Sequence, residues 1–248
     1  GGPIPTDGLD NRIDYIFEDK NFDPSRLILI ENTAASSPAG YQGDLEISSL
    51  YITLDAYLNE NFRLAAGIRN EDGEQMVNTY DVFQIVDNNI EKVIDEDYTL
   101  PSFTLTYLPE FDENLQIRFG LSQTIARPTF RELSPTLFID VDTDRVISGS
   151  LYLENSEIDN IDLRVEYYWG FNQFLTAGLF FKDISKPIEE VVNESGDLII
   201  TSYQNVPSAE VTGFEIEYER IYEDLLPDSK WGSTKEFIFK MNFTATDS

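Results

Sequence analysis

Apolar side chains recur at every second residue along much of this chain, and almost nowhere at the three-to-four spacing of a helix. Between Leu50 and Leu58 the even positions are Leu, Ile, Leu, Ala and Leu, and the odd ones are Tyr51, Thr53, Asp55 and Tyr57. After Asn59-Glu60-Asn61 the alternation resumes, with Phe62, Leu64, Ala66 and Ile68 set against Arg63, Ala65, Gly67 and Arg69. Successive side chains of a strand point to opposite faces, so each segment has one apolar and one polar face, and the pair reads as a hairpin. The unit recurs at Phe103–Tyr107 with Leu115–Leu121 across Pro109–Glu113, and at Ile161–Tyr167 with Leu175–Phe181 across Gly170-Phe171-Asn172. A fourth pair, Phe214–Tyr218 with Phe237–Phe243, is joined less tightly. The prediction is an all-β, antiparallel protein.

Alternation alone does not separate a soluble sandwich from a membrane barrel. Two further features do. The apolar face runs over roughly 9–11 residues per strand, the length that crosses a bilayer at a tilt of ~45°, and the opposite face is charged rather than merely polar. Short turns also alternate with long connections (about 72–101 and 127–160), as in barrels with short periplasmic turns and long extracellular loops. The long connections are acidic: between Glu71 and Leu100 nine acids face one base, Lys92. The absence of a long apolar run and of a signal peptide does not argue against a barrel, whose strands are short and whose leader is removed.

The chain of 248 residues has 46 acidic and 17 basic side chains, a net charge of −29, which argues against a nucleic-acid partner. It has no His and no Cys. That removes Ser-His-Asp and Cys-His catalysis, His- or Cys-based zinc and haem sites, Fe–S clusters and disulfides, and no cofactor is expected. Glu189 and Glu190 are neighbours on a strand and point apart; Glu215, Glu217 and Glu219 share a face, but nothing in the sequence desolvates one of them for acid–base work. No enzyme is predicted.

Three segments, in order, resemble one family. Residues 118–135 carry Ser-Gln-Thr-Ile-Ala-Arg-Pro running into Phe130-Arg131-Glu132-Leu133; this is similar to a strand-and-loop segment of TonB-dependent outer-membrane receptors. Asp162–Tyr168 with Gly178–Ile188 looks like that family's next hairpin, and Asn205–Tyr218 like the strand after it. The resemblance covers about residues 45–245. It implies a partial transmembrane barrel, about 8–10 strands of an expected 22-stranded barrel that holds a plug. Residues 1–44 are expected to form an outer loop, one or two strands (Arg12–Glu18 and Arg26–Glu31), or both, with the barrel strands over 45–248. Neither plug nor TonB box lies within these residues, so the chain reads as a fragment of a receptor in the outer membrane of a Gram-negative bacterium. The implied function is energised uptake of a scarce or large solute: a siderophore, a cobalamin, an oligosaccharide or a peptide. The implied partners are TonB through a missing N-terminal region, outer-membrane lipid, and a surface lipoprotein or other outer-membrane subunits. Two alternatives stand beside it: a transport-inactive barrel serving as scaffold in an outer-membrane assembly, and a soluble acidic β-sandwich that binds carbohydrate.

The lumen-facing candidates are Asp55, Arg63, Arg69, Arg118, Asp162, Arg164, Glu166, Glu215, Glu217, Glu219 and Lys240, assigned inward because a lipid-facing Arg or Lys costs roughly 2–4 kcal/mol at mid-membrane. Arg127, Arg131 and Glu132 stand where a strand enters a long loop, the base of the solute pocket by analogy. The plainer role for Arg127 is to anchor the turn against Glu132 or Asp140, with Pro128 stopping the ladder. Asp140, Asp142 and Asp144 open like a calcium loop, but Arg145 and Leu151 replace the required Gly and Glu, so no metal site is predicted. Asn193–Asp197 reads as the tip of a hairpin, Ile188–Tyr203, projecting beyond the membrane.

Overall fold

A computed structural model describes residues 40–80, 90–140, 145–195, 198–226 and 234–248. The strands expected at Arg12–Glu18 and Arg26–Glu31 lie outside these residues. Eight strands form one antiparallel sheet: β1 (Gly40–Tyr57), β2 (Phe62–Tyr80), β3 (Glu91–Tyr107), β4 (Leu115–Ala126), β7 (Ser156–Gly170), β8 (Gln173–Ser185), β11 (Ser208–Leu226) and β12 (Thr234–Asp247). Each is hydrogen-bonded to its neighbour in chain order, and β1 and β12 stand at the two edges. This is an open segment of barrel wall.

The register carries the alternation unbroken across the wall. The row Ile68–Pro101 and the rows Leu105–Phe119–Leu163–Leu179–Phe214 and Ile117–Val165–Ala177–Ile216–Phe243 are cross-strand neighbours that share one face. That face is uncovered: Leu50 is 80% exposed, and Ile52, Leu54, Leu163, Leu179 and Phe243 are exposed as well. A soluble sandwich would bury this face against a second sheet. Here none of the described residues covers it, and roughly nine residues per strand, for example Ile161 to Trp169, suit a tilted crossing of the hydrocarbon. Above that band the same face turns polar, at Gln123, Asp159, Asp183 and Glu210.

Of the connection expected at 72–101, residues 72–80 and 91–101 are paired strand, so β2 and β3 continue with β1 as a three-stranded extension. The reason is local: alternation persists through Gln75, Val77 and Thr79, which are buried on the inner side. β3 pairs with β4 only from Ser102 to Tyr107, so the wall divides above that level. The connection 127–155 fills the division with a four-residue helix, α1 (Phe130–Leu133), and two short strands, β5 (Leu137–Asp140) and β6 (Arg145–Ser148). The hairpin expected over Ile188–Tyr203 forms as β9 (Ile188–Ser195) and β10 (Leu198–Asn205), and it has a further partner. β10 pairs in parallel with β6, and a four-stranded sheet β5-β6-β10-β9 joins the two long connections. Isolated four-residue strands are marginal, and pairing supplies the partners their backbone groups need.

A charge placed in the apolar band should be costly, and the same charge one residue off should not. Leu163→Arg is expected to lose about 2–4 kcal/mol of stability, and Thr104→Arg, on the inner face, much less. Denaturant unfolding from lipid vesicles measures both.

Candidate functional site

The inner face is built around Arg164. In register, Arg164 on β7 lies opposite Gly178 on β8, and Gly178 lies opposite Glu215 on β11. Two strand spacings separate Arg164 from Glu215, about 9–10 Å. The glycine leaves the way clear: a Cβ there would stand 3.1 Å from Cγ of Glu215. The guanidinium therefore reaches over β8, with Nη1 at 3.5 Å from Glu215 Oε1 and Nη2 at 2.9 Å from Glu217 Oε2, while Nη2 also donates to Thr176 Oγ1 at 3.2 Å. Nε lies 3.1 Å from Glu166 Oε1.

Arg118 is the direct cross-strand partner of Arg164, an arrangement that repels by itself. Glu166 resolves it. Its side chain is buried and sits against both arginines, with Arg118 Nη2 at 3.3 Å from Oε2, and Tyr168 Oη donates to the same oxygen at 3.1 Å. Asp162, Arg118, Arg164 and Glu215 line a hollow of about 410 Å³. Farther along the same face Lys240 pairs with Glu219 at 2.9 Å, Arg69 with Glu71 at 2.7 Å, and Arg63 makes a two-pronged contact with Asp55 at 2.6 and 2.8 Å. The structure thus brings all eleven inner-face candidates to one side of the wall, ten of them in ion pairs.

Arg127 has a different partner from those expected. Its Nη2 lies 2.7 Å from Oε1 of Glu71, on β2, and neither Glu132 nor Asp140 holds it. Glu132 is engaged elsewhere: its carboxylate accepts from Thr129 N–H at 2.6 Å while Thr129 Oγ1 accepts from Glu132 N–H, a capping box that starts α1 directly after Pro128. Gly73 makes room for Arg127, since a Cβ would sit 2.6 Å from Nη2. Gln75 Nε2 donates to the Pro128 carbonyl at 2.7 Å, so the strand-to-loop corner is tied to β2 twice. Leu133 then packs with Val77, Ile94 and Leu153 in a small buried core, bordered by Phe130, Ile188 and Tyr203. The carbonyls left open at the end of α1 are met by Gly149 N–H on Ser134 O at 2.8 Å and Ser150 N–H on Glu132 O at 2.6 Å. The approach is so close that a Cβ at position 149 would stand 2.3 Å from an oxygen. Arg131 lies over the Phe138 ring at 3.2 Å, a packing contact rather than an open binding position. Asn205 binds the two connections together, accepting from Glu154 N–H and donating to the Glu154 and Lys186 carbonyls. Asp140 ends β5 opposite Arg145; Asp142 and Asp144 lie outside the described residues.

Burial pushes the Glu71 carboxyl up, but the Arg127 and Arg69 guanidiniums more than offset it and hold it below the usual carboxylate range. Burial, with the neighbouring Glu96, pushes the Tyr98 phenol up to about 12.

One feature of the outer face was legible in the sequence and not read from it. At the short-turn end aromatic rings succeed one another along the wall: Phe62 and Tyr107 at 5.0 Å, Tyr167 and Trp169 at 5.2 Å, Trp169 and Tyr218 at 5.8 Å, Tyr218 and Phe239 at 5.9 Å. Aromatic residues at the turn-proximal end of successive alternating runs are the signal of an interfacial girdle.

A family model described as TonB dependent receptor-like, beta-barrel matches residues 7–248, starting ahead of the position near 45 where the sequence resemblance begins. Among solved structures, the chain is similar to a double mutant of the Serratia marcescens hemophore receptor HasR in complex with its hemophore HasA and heme, with 12% identity and a TM-score of 0.57 over 71% of this chain and 32% of that one. It is also similar to the copper transporter OprC, with 17% identity and a TM-score of 0.54 over 82% of this chain and 29% of that one. The chain therefore spans about a third of the length of these structures. At these identities the likeness is one of fold. A search of curated proteins gave no match.

The corner generates an acid-dependent prediction. The folded Glu71 titrates below its unfolded value, so its stabilising contribution is complete above about pH 4.3, the ordinary glutamate value, and is lost as pH falls through the folded value. Hydrogen exchange at α1 in the full-length receptor should accelerate over that acid range, and Glu71→Gln should remove this step. Arg127→Ala should loosen α1 at neutral pH by about 2–3 kcal/mol, read by the same exchange.

Proposed function

The chain belongs to the TonB-dependent receptor family, within its β-barrel, and on that premise we propose that it forms part of the wall and mouth of a receptor for energised uptake of a scarce or large solute. The protein is an outer-membrane β-barrel. In this reading the short turns face the periplasm, and the connections 127–155 and 186–207, with the extension of β1–β3, stand outside the cell. The eleven charged residues of the inner face line the lumen and meet the receptor's plug. TonB, engaged through that plug, supplies the energy. Arg127 and Glu132 act as positioning residues: they hold α1 over the inner side of the extension and so shape the entrance, and Arg131 packs within it.

The observation that carries the reading is the division of labour across one sheet. A largely apolar face on eight strands is backed by an ion-paired inner face, and an ordered cap stands at the long-connection end. Such a wall suits a passage for something polar through a lipid layer. Because ion pairs use up most of the inner charges, the wall offers a plug a fixed pattern of paired charge rather than a field of free carboxylates. The solute class stays broad: siderophore, cobalamin, oligosaccharide or peptide. No chemistry on the solute is proposed.

The test is uptake. Cells with the full-length receptor deleted should fail to grow on one limiting solute of these classes, and the same failure should follow loss of TonB or collapse of the proton-motive force. Growth that depends on neither would overturn the transport reading. A stable outer-membrane complex that depends on the receptor would then favour the scaffold.

A further inference from the structure

The outer wall carries a cation that uptake does not use. Arg220 lies on β11 in register with Phe239 on β12, on the same side as Tyr218 and Tyr222, and so on the apolar face. Its guanidinium stands 5.4 Å from the ring centres of both Trp169 and Tyr222, inside the aromatic girdle at the short-turn end. Cations of the inner wall meet carboxylates, as Arg164 and Arg63 do. Among the described side chains Arg220 meets none, and its neighbours there are aromatic rings alone. Beside it Tyr218, Tyr222, Phe237 and Phe239 line a hollow of about 310 Å³, at which the Tyr218 and Tyr222 hydroxyls hydrogen-bond to each other at 2.9 Å.

We propose that Arg220 and this aromatic hollow bind a glycerophospholipid of the adjoining leaflet, its phosphate on the guanidinium and one acyl chain against the rings. The occupant follows from position and charge. The apolar face of an outer-membrane barrel is covered by lipid, and the girdle marks the level at which headgroups begin. A guanidinium within 5.4 Å of two ring centres and of no described carboxylate presents donors in a fork that fits phosphate oxygens. In a chain of net charge −29, an anionic headgroup is repelled over most of the surface and admitted at Arg220, a cation whose described neighbours are rings rather than carboxylates. The assignment to the periplasmic leaflet rests on the orientation given above; the binding itself rests only on membrane location, and would survive failure of the uptake experiment.

Native mass spectrometry of the full-length receptor, released from detergent with phosphatidylglycerol or with diacylglycerol of the same chains, tests the proposal. Wild type should retain phosphatidylglycerol about tenfold or more over diacylglycerol, the ratio expected from charge-assisted hydrogen bonds. Arg220→Gln should bring the two to parity while the unboiled protein still migrates as a folded barrel. Inorganic phosphate should not displace the lipid. Equal retention of the two lipids by wild type would overturn the proposal, as would unchanged preference in folded Arg220→Gln. Displacement by inorganic phosphate would do so too, leaving a free-anion site. Should Arg220→Gln fail to fold, the comparison of the two lipids on wild type still decides.

Discussion

No water is present at the centre of a bilayer to receive a backbone N–H or to donate to a carbonyl, and each one left unpaired there costs several kcal/mol. The rest of the structure depends on that constraint. It makes the eight crossing strands hydrogen-bond to their neighbours in chain order. It sets apolar groups at alternate positions, because one face of each strand must be wetted by lipid. It also drives the side chains that lipid would reject onto the inner face. The same rule relaxes above the apolar band. There β3 parts from β4, and a helix, two four-residue strands and a hairpin become affordable.

Concentrating charge on one face creates a second problem, which the inner wall solves by geometry. Arg118 and Arg164 stand side by side across two strands, and would repel each other without Glu166 between them. Arg164 also spans β8 to reach two carboxylates on β11, and it can do so because position 178 has no side chain. Glu166 is the buried member of this set, and removing either arginine beside it would leave its charge under-compensated away from water, which is why such groups are worth more as a network than pair by pair. By contrast the Arg63–Asp55 contact is half exposed and adds little to stability despite its good geometry.

What the sequence disclosed was governed by range. Strand identity is a property of neighbours two apart, so the eight wall strands were legible from alternation at Leu50–Leu58, Ile161–Tyr167 and their partners. The face that each charged residue occupies followed from the same parity. The partner of Arg127 did not, since Glu71 is reached only through the register of β2 with the folded-back corner, fifty-odd residues away in the chain. Helix α1 has a single turn and no periodicity to betray it; only its cap, Thr129 with Glu132, left a mark. β5 and β6 are too short to alternate visibly and exist because of β10, a strand from another connection. Extension of β2 and β3 through an acidic segment was hidden for another reason: charge suggested a loop, whereas the inner parity of Gln75, Val77 and Thr79 carried the strand onward.

The parallel pairing of β6 with β10 makes two connections depend on each other. Connections of a sheet protein usually tolerate replacement one at a time, because each packs mainly against the strands it joins. Here the connection after β4 and the connection after β8 share one small sheet and are clasped again by Asn205. An exchange that replaced either alone would strand the other's edge and uncover the core beneath it. These two connections therefore form one structural unit, and a change at the pairing edge of one calls for a matching change in the other.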